Sequence, residues 1–231
     1  MNSVLVTGAA RGIGLEFCRQ LVARGDSVVA TCRRSSDELR AVKLRIVDDI
    51  DVTSDDACAR LARNLQGKPI DWVVLNAGVF ESTSLGSLEF ERMRHEYDVD
   101  ALGPLRITQA LLANIPRGGK IALVSSRAGS IGDNSSGGIY GYRMAKAALN
   151  MAGVSLAHDL QARGIAVVLL HPGVVDTEML RSGMDALGQM VRSADLITPR
   201  VAVEAMLTRI DELTLSSSGR FLHRNGQVLP W

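Results

Sequence analysis

Long apolar runs are missing from this chain. No stretch approaches the ~18 apolar residues of a membrane-spanning helix, so no membrane span is expected. Cysteine is scarce: Cys18, Cys32 and Cys58 are odd in number, widely spaced and form no C-x-x-C pair, which argues against a disulfide framework. His95, His158, His171 and His223 are scattered without ligand spacing, so no metal site is expected. Charge of one sign is not in excess either. Lys plus Arg number 26 against 25 for Asp plus Glu, a formal net charge of +1. Such a balance carries no electrostatic footprint for nucleic acid or an anionic membrane surface. Met1-Asn2-Ser3 runs straight into Val4-Leu5-Val6, without the basic region and apolar segment of a secretory signal. A reduced, cytoplasmic protein is the expectation.

Glycine, by contrast, is plentiful, with 22 in 231 residues beside only 6 Pro. That points to tight turns and close backbone approaches. At ~150 residues per domain, the length favours a single domain over 1–231. Short apolar runs recur at 4–6, 28–30, 44–47, 72–75, 121–124 and 166–170. Between them lie stretches of helical periodicity. Ile13, Phe17, Leu21 and Val22 share one helical face, and a polar helix is predicted over 54–65. Runs that barely alternate suit strands covered on both faces. Strand and helix alternating throughout predict an α/β chain: a doubly wound Rossmann-type domain with a mostly parallel sheet of about seven strands.

Directly after the first strand comes Thr7-Gly8-Ala9-Ala10-Arg11-Gly12-Ile13-Gly14, which opens the first helix. Unpaired backbone N–H groups at a helix start, together with the helix dipole, make an anion site. The spacing is G-x-x-x-G-x-G, not the general G-x-G-x-x-G fingerprint. A turn that merely lets helix and strand pack is the bland alternative. Its place at the first βα turn favours a dinucleotide pyrophosphate. At the end of the second strand, where a carboxylate would meet a free ribose 2′-hydroxyl, stands Cys32, followed by Arg33 and Arg34. With Arg11, these guanidinium groups suit a 2′-phosphate. NADP(H) is therefore favoured over NAD(H).

Tyr142 and Lys146, at i and i+4, share a helical face. A nearby ammonium favours phenolate and lowers a tyrosine pKa that otherwise lies near 10. Ser125-Ser126 ends a strand at the carboxyl edge, where α/β sheets bind ligands. A serine there can hydrogen-bond a substrate carbonyl while tyrosine protonates it. Alone, Y-x-x-x-K is a common accident. A G-x-S-x-G elbow and a P-loop are both missing.

Five motifs in order resemble the short-chain dehydrogenase/reductase family over essentially the whole length. They are the 7–14 loop, Asp51-Val52, Asn76-Ala77-Gly78, Tyr142 with Lys146, and Pro172-Gly173-Val174-Val175-Asp176-Thr177. Within the family, 125–144 and the ending 219–231 are similar to the C-factor and sniffer-like carbonyl reductases. The resemblance implies hydride transfer between nicotinamide and an aldehyde, ketone or alcohol. Ser126 would orient the carbonyl, Tyr142 act as general acid, and Lys146 tune Tyr142 and hold the ribose. Gly8, Arg11, Gly12, Ile13 and Gly14 would surround the pyrophosphate, Arg33 the 2′-phosphate, and Asp51 and Val52 the adenine. Asn76, Ala77 and Gly78 would follow, with Pro172, Gly173, Val175 and Thr177 at the nicotinamide. Ser125 and Tyr140 are the weaker candidates beside Ser126 and Tyr142.

Two departures stand out. Asp100, in Val99-Asp100-Ala101-Leu102-Gly103, occupies the family's catalytic Asn position; it joins the catalytic set, and its charge would pull on Lys146. The gap from Ser126 to Tyr142 is long, with polar, glycine-rich residues at 133–138 expected to form a loop beside the substrate, Gly137 and Gly138 included. Region 178–199, with Met179, Leu180, Met184, Leu187, Met190 and Val191, would lid the substrate cleft or simply pack as a helix. A homodimer or homotetramer is compatible, through 89–113 and 140–162. The competing function is an NADP(H)-binding sensor or signalling protein, its catalysis weakened at Asp100.

Overall fold

The computed structural model describes residues 1–81, 85–187 and 196–231, of which 183–187 are described by backbone alone. In chain order the elements are β1 (Ser3–Thr7), α1 (Gly12–Ala23), β2 (Ser27–Thr31), α2 (Asp37–Arg40), β3 (Arg45–Val47), α3 (Asp55–Asn64) and β4 (Trp72–Leu75). Then come α4 (Phe90–Tyr97), α5 (Gly103–Leu111), β5 (Lys120–Val124), α6 (Tyr140–Leu160) and β6 (Ala166–His171). The chain ends through β7 (Val174–Val175), α7 (Glu178–Leu187), β8 (Leu196–Ile197), α8 (Pro199–Asp211) and β9 (Arg220–His223).

The main sheet has seven strands in the order β3-β2-β1-β4-β5-β6-β9, and every pairing in it is parallel. The predicted doubly wound α/β fold is thus observed. Val4 and Val6 point into one core, where Phe17 and Leu21 of α1 meet Met206 and Ile210 of α8. Leu5 points into the other, with Leu61 of α3, Ile107 of α5 and Leu149 of α6. Both faces of β1 are therefore covered, which is why its sequence does not alternate. The short parallel pair β7 and β8 escaped the sequence reading, because two-residue strands carry no periodicity. Among the described residues, no helix is long and apolar enough to cross a membrane.

The predicted polar helix over 54–65 is α3, capped by Ser54, whose Oγ accepts from the Ala57 N–H at 3.2 Å. A similar cap starts α8, at Thr198 with Pro199 in the first turn. The cysteines behave as small apolar groups: all three are free and buried, and burial pushes the Cys18 thiol up to about 12.

Strand order reverses at the β1–β4 pair, since β2 and β3 run to one side and β5, β6 and β9 to the other. Such a switch point leaves a crevice at the strands' carboxyl ends. Between α4 and α5 the chain makes a π-helical turn, Asp98–Leu102, two residues before Pro104, which has no N–H to continue the regular ladder. The bulge turns Asp100 inward to complete burial. It is the kind of irregularity that helices place at functional positions.

Candidate active site

A cleft of about 500 Å³ opens at the switch point, lined by the 8–13 loop, the ends of β2, β4 and β5, and Tyr142 and Lys146 of α6. Two loops are stitched together beneath it. Thr7 Oγ1 accepts from the N–H groups of Asn76 (3.0 Å) and Ala77 (3.1 Å), and Asn76 Nδ2 donates to the Thr7 carbonyl at 3.1 Å. The start of α1 faces the cleft without the side-chain cap that α3 and α8 have, and without acidic residues in its first turn such as Asp55 and Asp56 of α3. Its first N–H groups are those an anion would use.

Gly8 has φ +65°, and a Cβ there would fall 2.7 Å from Ala77 Cα, so the turn can hold only glycine. Gly14 packs rather than lining the cleft. A Cβ on it would lie 2.3 Å from the Gly8 carbonyl oxygen and 2.6 Å from Asn76 Nδ2. Gly14→Ala is expected to destabilise the fold by about 2–3 kcal/mol, read as a lowered midpoint in thermal unfolding. An unchanged midpoint would mean that the loop relaxes freely.

At the β2 end of the cleft, burial tends to raise the pKa of Asp51, but hydrogen bonds from the Thr53 N–H and hydroxyl, and the positive charges of Arg33 and His95 nearby, hold it below the usual range. Val52, Arg33 and Arg34 also line the cleft. Among the described residues, Arg33 and Arg34 form no side-chain hydrogen bond or ion pair. Arg11 differs: its Nη1 is 2.6 Å from Glu178 Oε2, so of the two or three guanidinium groups expected together, Arg33 and Arg34 are the unpaired ones. Glu178 lies 167 residues from Arg11, beyond any local signal.

At the other end, α6 presents Tyr142 and Lys146 on one face, with Lys146 Nζ 5.5 Å from the centre of the Tyr142 ring. Lys146 Nζ stands 3.1 Å from Asp100 Oδ2, both side chains nearly inaccessible to solvent, and donates to the Val124 carbonyl at 3.2 Å. Asp100 Oδ1 accepts from the Val79 N–H at 2.8 Å. Burial alone would push the Lys146 ammonium down, yet the Asp100 carboxylate beside it keeps its pKa above the usual value. Lys146 is thus held as a cation. Tyr142 departs from the simple expectation. The Lys146 charge and a hydrogen bond from Ser126 pull its pKa down, but burial outweighs them, with Asp100 opposing too, and the net direction is up.

Phe80 meets the Tyr142 ring edge-on at 5.0 Å between centroids and 83° between planes, a contact the sequence did not indicate. Ser126 Oγ also accepts from the Ala128 N–H at 3.1 Å, while Ser125, which lines the cleft, donates to Asn150 Oδ1 at 2.6 Å. The 133–138 loop is organised by Arg143, whose guanidinium donates to the carbonyls of Gly137 and Gly138 and to Ser136 Oγ. Tyr140 opens α6. Pro172, Thr177 and Met179 reach the cleft, whereas Gly173 (φ +86°) shapes the turn and Val175 is buried in β7. Of the expected lid, 178–187 is helix α7. The side chains of Met184 and Leu187, together with Met190 and Val191, lie outside the described residues.

Comparison with known proteins agrees with this arrangement. Residues 2–187 match the short chain dehydrogenase family. The chain is 40% identical over 233 residues, covering all of both chains, to a 1-hydroxy-2-glutathionyl-2-methyl-3-butene dehydrogenase of Rhodococcus sp. (strain AD45). It is 42% identical over 173 residues to the C-signal protein of Myxococcus xanthus, covering 74% of this chain and 98% of that one. The NADPH-bound carbonyl reductase from chicken fatty liver superposes with a TM-score of 0.86 at 30% identity, covering 100% of this chain and 99% of the other. Glycine loop, switch-point cleft and Tyr-Lys pair thus coincide with extensive similarity, and the chain belongs to the short-chain dehydrogenase/reductase family of oxidoreductases.

Proposed function

We propose that the protein is a single-domain, NADP(H)-dependent oxidoreductase that interconverts an aldehyde or ketone with its alcohol by a Ser126-Tyr142-Lys146 mechanism. The observation that carries this reading is the buried Asp100–Lys146 pair beside Tyr142 at the cofactor cleft, with Ser126 hydrogen-bonded to Tyr142. The donor set suits the cofactor. The uncapped α1 start and Gly8, Gly12 and Ile13 would take the pyrophosphate, and the unpaired Arg33 and Arg34 a 2′-phosphate. The NADPH-bound chicken carbonyl reductase supports the same choice.

When bound, the nicotinamide supplies a hydride to the carbonyl carbon or accepts one from the alcohol. Ser126 orients the substrate oxygen by hydrogen bonding. Tyr142 Oη gives its proton to that oxygen during reduction and takes it back during oxidation. Lys146, held cationic by Asp100, stabilises the phenolate left behind. Phe80 against the ring edge and the Lys146 ammonium over its face fix the ring, so that geometry is set before substrate arrives. Asp100 offsets part of the Lys146 charge, which makes this phenol a weaker acid than an Asn at that position would.

Consumption of NADPH with small aldehydes, ketones and quinones tests the assignment. Tight NADPH binding without turnover on any of them would favour a sensor instead. Replacing Arg33 and Arg34 together by Ala is expected to raise the KM for NADPH roughly 10–100-fold, since a charge-assisted contact contributes about 1.5–3 kcal/mol, and to leave the KM for NADH nearly unchanged. Equal effects on both cofactors would overturn the 2′-phosphate assignment. The chain is further read as cytoplasmic and as self-associating through α4 and α6, where Phe90, Tyr97, Met144 and Met151 are exposed.

A further inference from the structure

Helix α4 reads Phe-Glu-Arg-Met-Arg-His-Glu-Tyr and is mostly polar and exposed, yet Glu96 on it is 0% exposed. Its Oε1 accepts a hydrogen bond from the Glu81 N–H at 2.7 Å. Its Oε2 has no hydrogen-bond partner among the described residues and rests against the first turn of α6. A Cβ on Gly141 would fall 2.0 Å from that oxygen, so the carboxyl fills the space a side chain would need immediately before Tyr142. Four residues further along, Asp100 meets Lys146. Glu81 in turn follows Phe80, whose ring contacts Tyr142. A buried carboxyl without a bonded cation is costly in its charged form, and the mechanism above gives it no task.

We infer that Glu96, seated against Gly141 beneath the first turn of α6, is a positioning residue for Tyr142: its charge shifts the pH at which the Tyr142 phenol ionises. The groups facing Glu96 are Glu81 from the loop after β4, its own carboxylate paired to Arg92, Asp100 from the π-helical turn, and Lys146 and Tyr142 from α6. Burial raises the Glu96 pKa, the Glu81 N–H opposes this, the Asp100 and Glu81 carboxylates add to it, and Lys146 opposes it; the result is about 7. Below that pH, Glu96 is neutral. Above it, the new negative charge opposes phenolate formation and raises the Tyr142 pKa further. Glu96 thereby keeps Tyr142 protonated into the alkaline range, which favours carbonyl reduction over alcohol oxidation.

Because the site is taken as a carbonyl-reducing one, the test needs a readout that does not depend on turnover. The phenolate absorbance of the protein minus that of its Tyr142→Phe variant isolates the Tyr142 titration. Glu96→Gln keeps an oxygen to accept from the Glu81 N–H but cannot ionise. It is expected to lower the apparent Tyr142 pKa by about 0.5–1 unit, and the alkaline rise of alcohol oxidation should move down with it. Glu96→Asp, which retains a charge, should restore the parent titration.

Stability supplies a second measurement. A carboxyl whose folded pKa is raised loses stability as pH rises from its unfolded value towards about 7. The unfolding midpoint of Glu96→Gln should therefore gain on the parent between pH 5 and 8. A Tyr142 titration unchanged in Glu96→Gln would overturn the inference. A shifted titration in a protein that turns over no carbonyl or alcohol would support the Glu96 coupling and overturn the carbonyl-reductase reading.

Discussion

Tyr142→Phe is expected to lower kcat by roughly 10²–10⁴-fold, the range that a positioned general acid contributes, with cofactor affinity nearly unchanged. The substitution removes one hydroxyl and nothing else from the packing. Phe80 still meets a ring edge, Lys146 still has its ion pair with Asp100 and its bond to the Val124 carbonyl, and the α6 backbone is untouched. Lost are the proton carrier and the group hydrogen-bonded by Ser126. Steady-state rates with NADPH and a small aldehyde, paired with NADPH titration of the same variant, separate chemistry from binding. A kcat within tenfold of the parent would mean that a different proton source serves the site.

Asp100→Ala should have the largest effect on stability. Asp100 is fully buried and is the carboxylate partner of an almost fully buried ammonium, and it also satisfies the Val79 N–H. Removing one member of such a pair leaves an uncompensated charge and typically costs about 3–5 kcal/mol. At about 2–4 °C per kcal/mol for a chain of this size, the unfolding midpoint should fall by roughly 10 °C. Asp100→Asn should cost less, because an amide oxygen still accepts from Val79. It nevertheless removes the charge that holds Lys146 cationic, so burial then pushes the Lys146 pKa down. A midpoint in Asp100→Ala within about 2 °C of the parent would show that Lys146 sheds its proton at little cost.

The fold and half of the site were legible because their signals are local. Val4-Leu5-Val6 reads as a buried strand without knowledge of its neighbours, and the 7–14 turn is contiguous. Tyr142 and Lys146 are one helical turn apart, so their shared face follows from the α-helix period alone. The structure confirmed that proximity and revised its electrostatic outcome, because burial of Tyr142 cannot be summed from two side chains in sequence.

What stayed hidden depends on contacts across long separations. Arg11 meets Glu178, and Thr7 meets Asn76 and Ala77. In the sequence Glu96 is one carboxylate on a charged helix, indistinguishable from Glu91, yet the former is buried and the latter exposed. Only the docking of α4 against glycine at position 141 decides that difference. The sequence by itself determined the alternation of strand and helix, the glycine turn and the Tyr-Lys pair, since each is written within a few successive residues. Tertiary structure alone decided which charges are buried together, because desolvation is a property of what packs around a side chain and not of its neighbours along the chain.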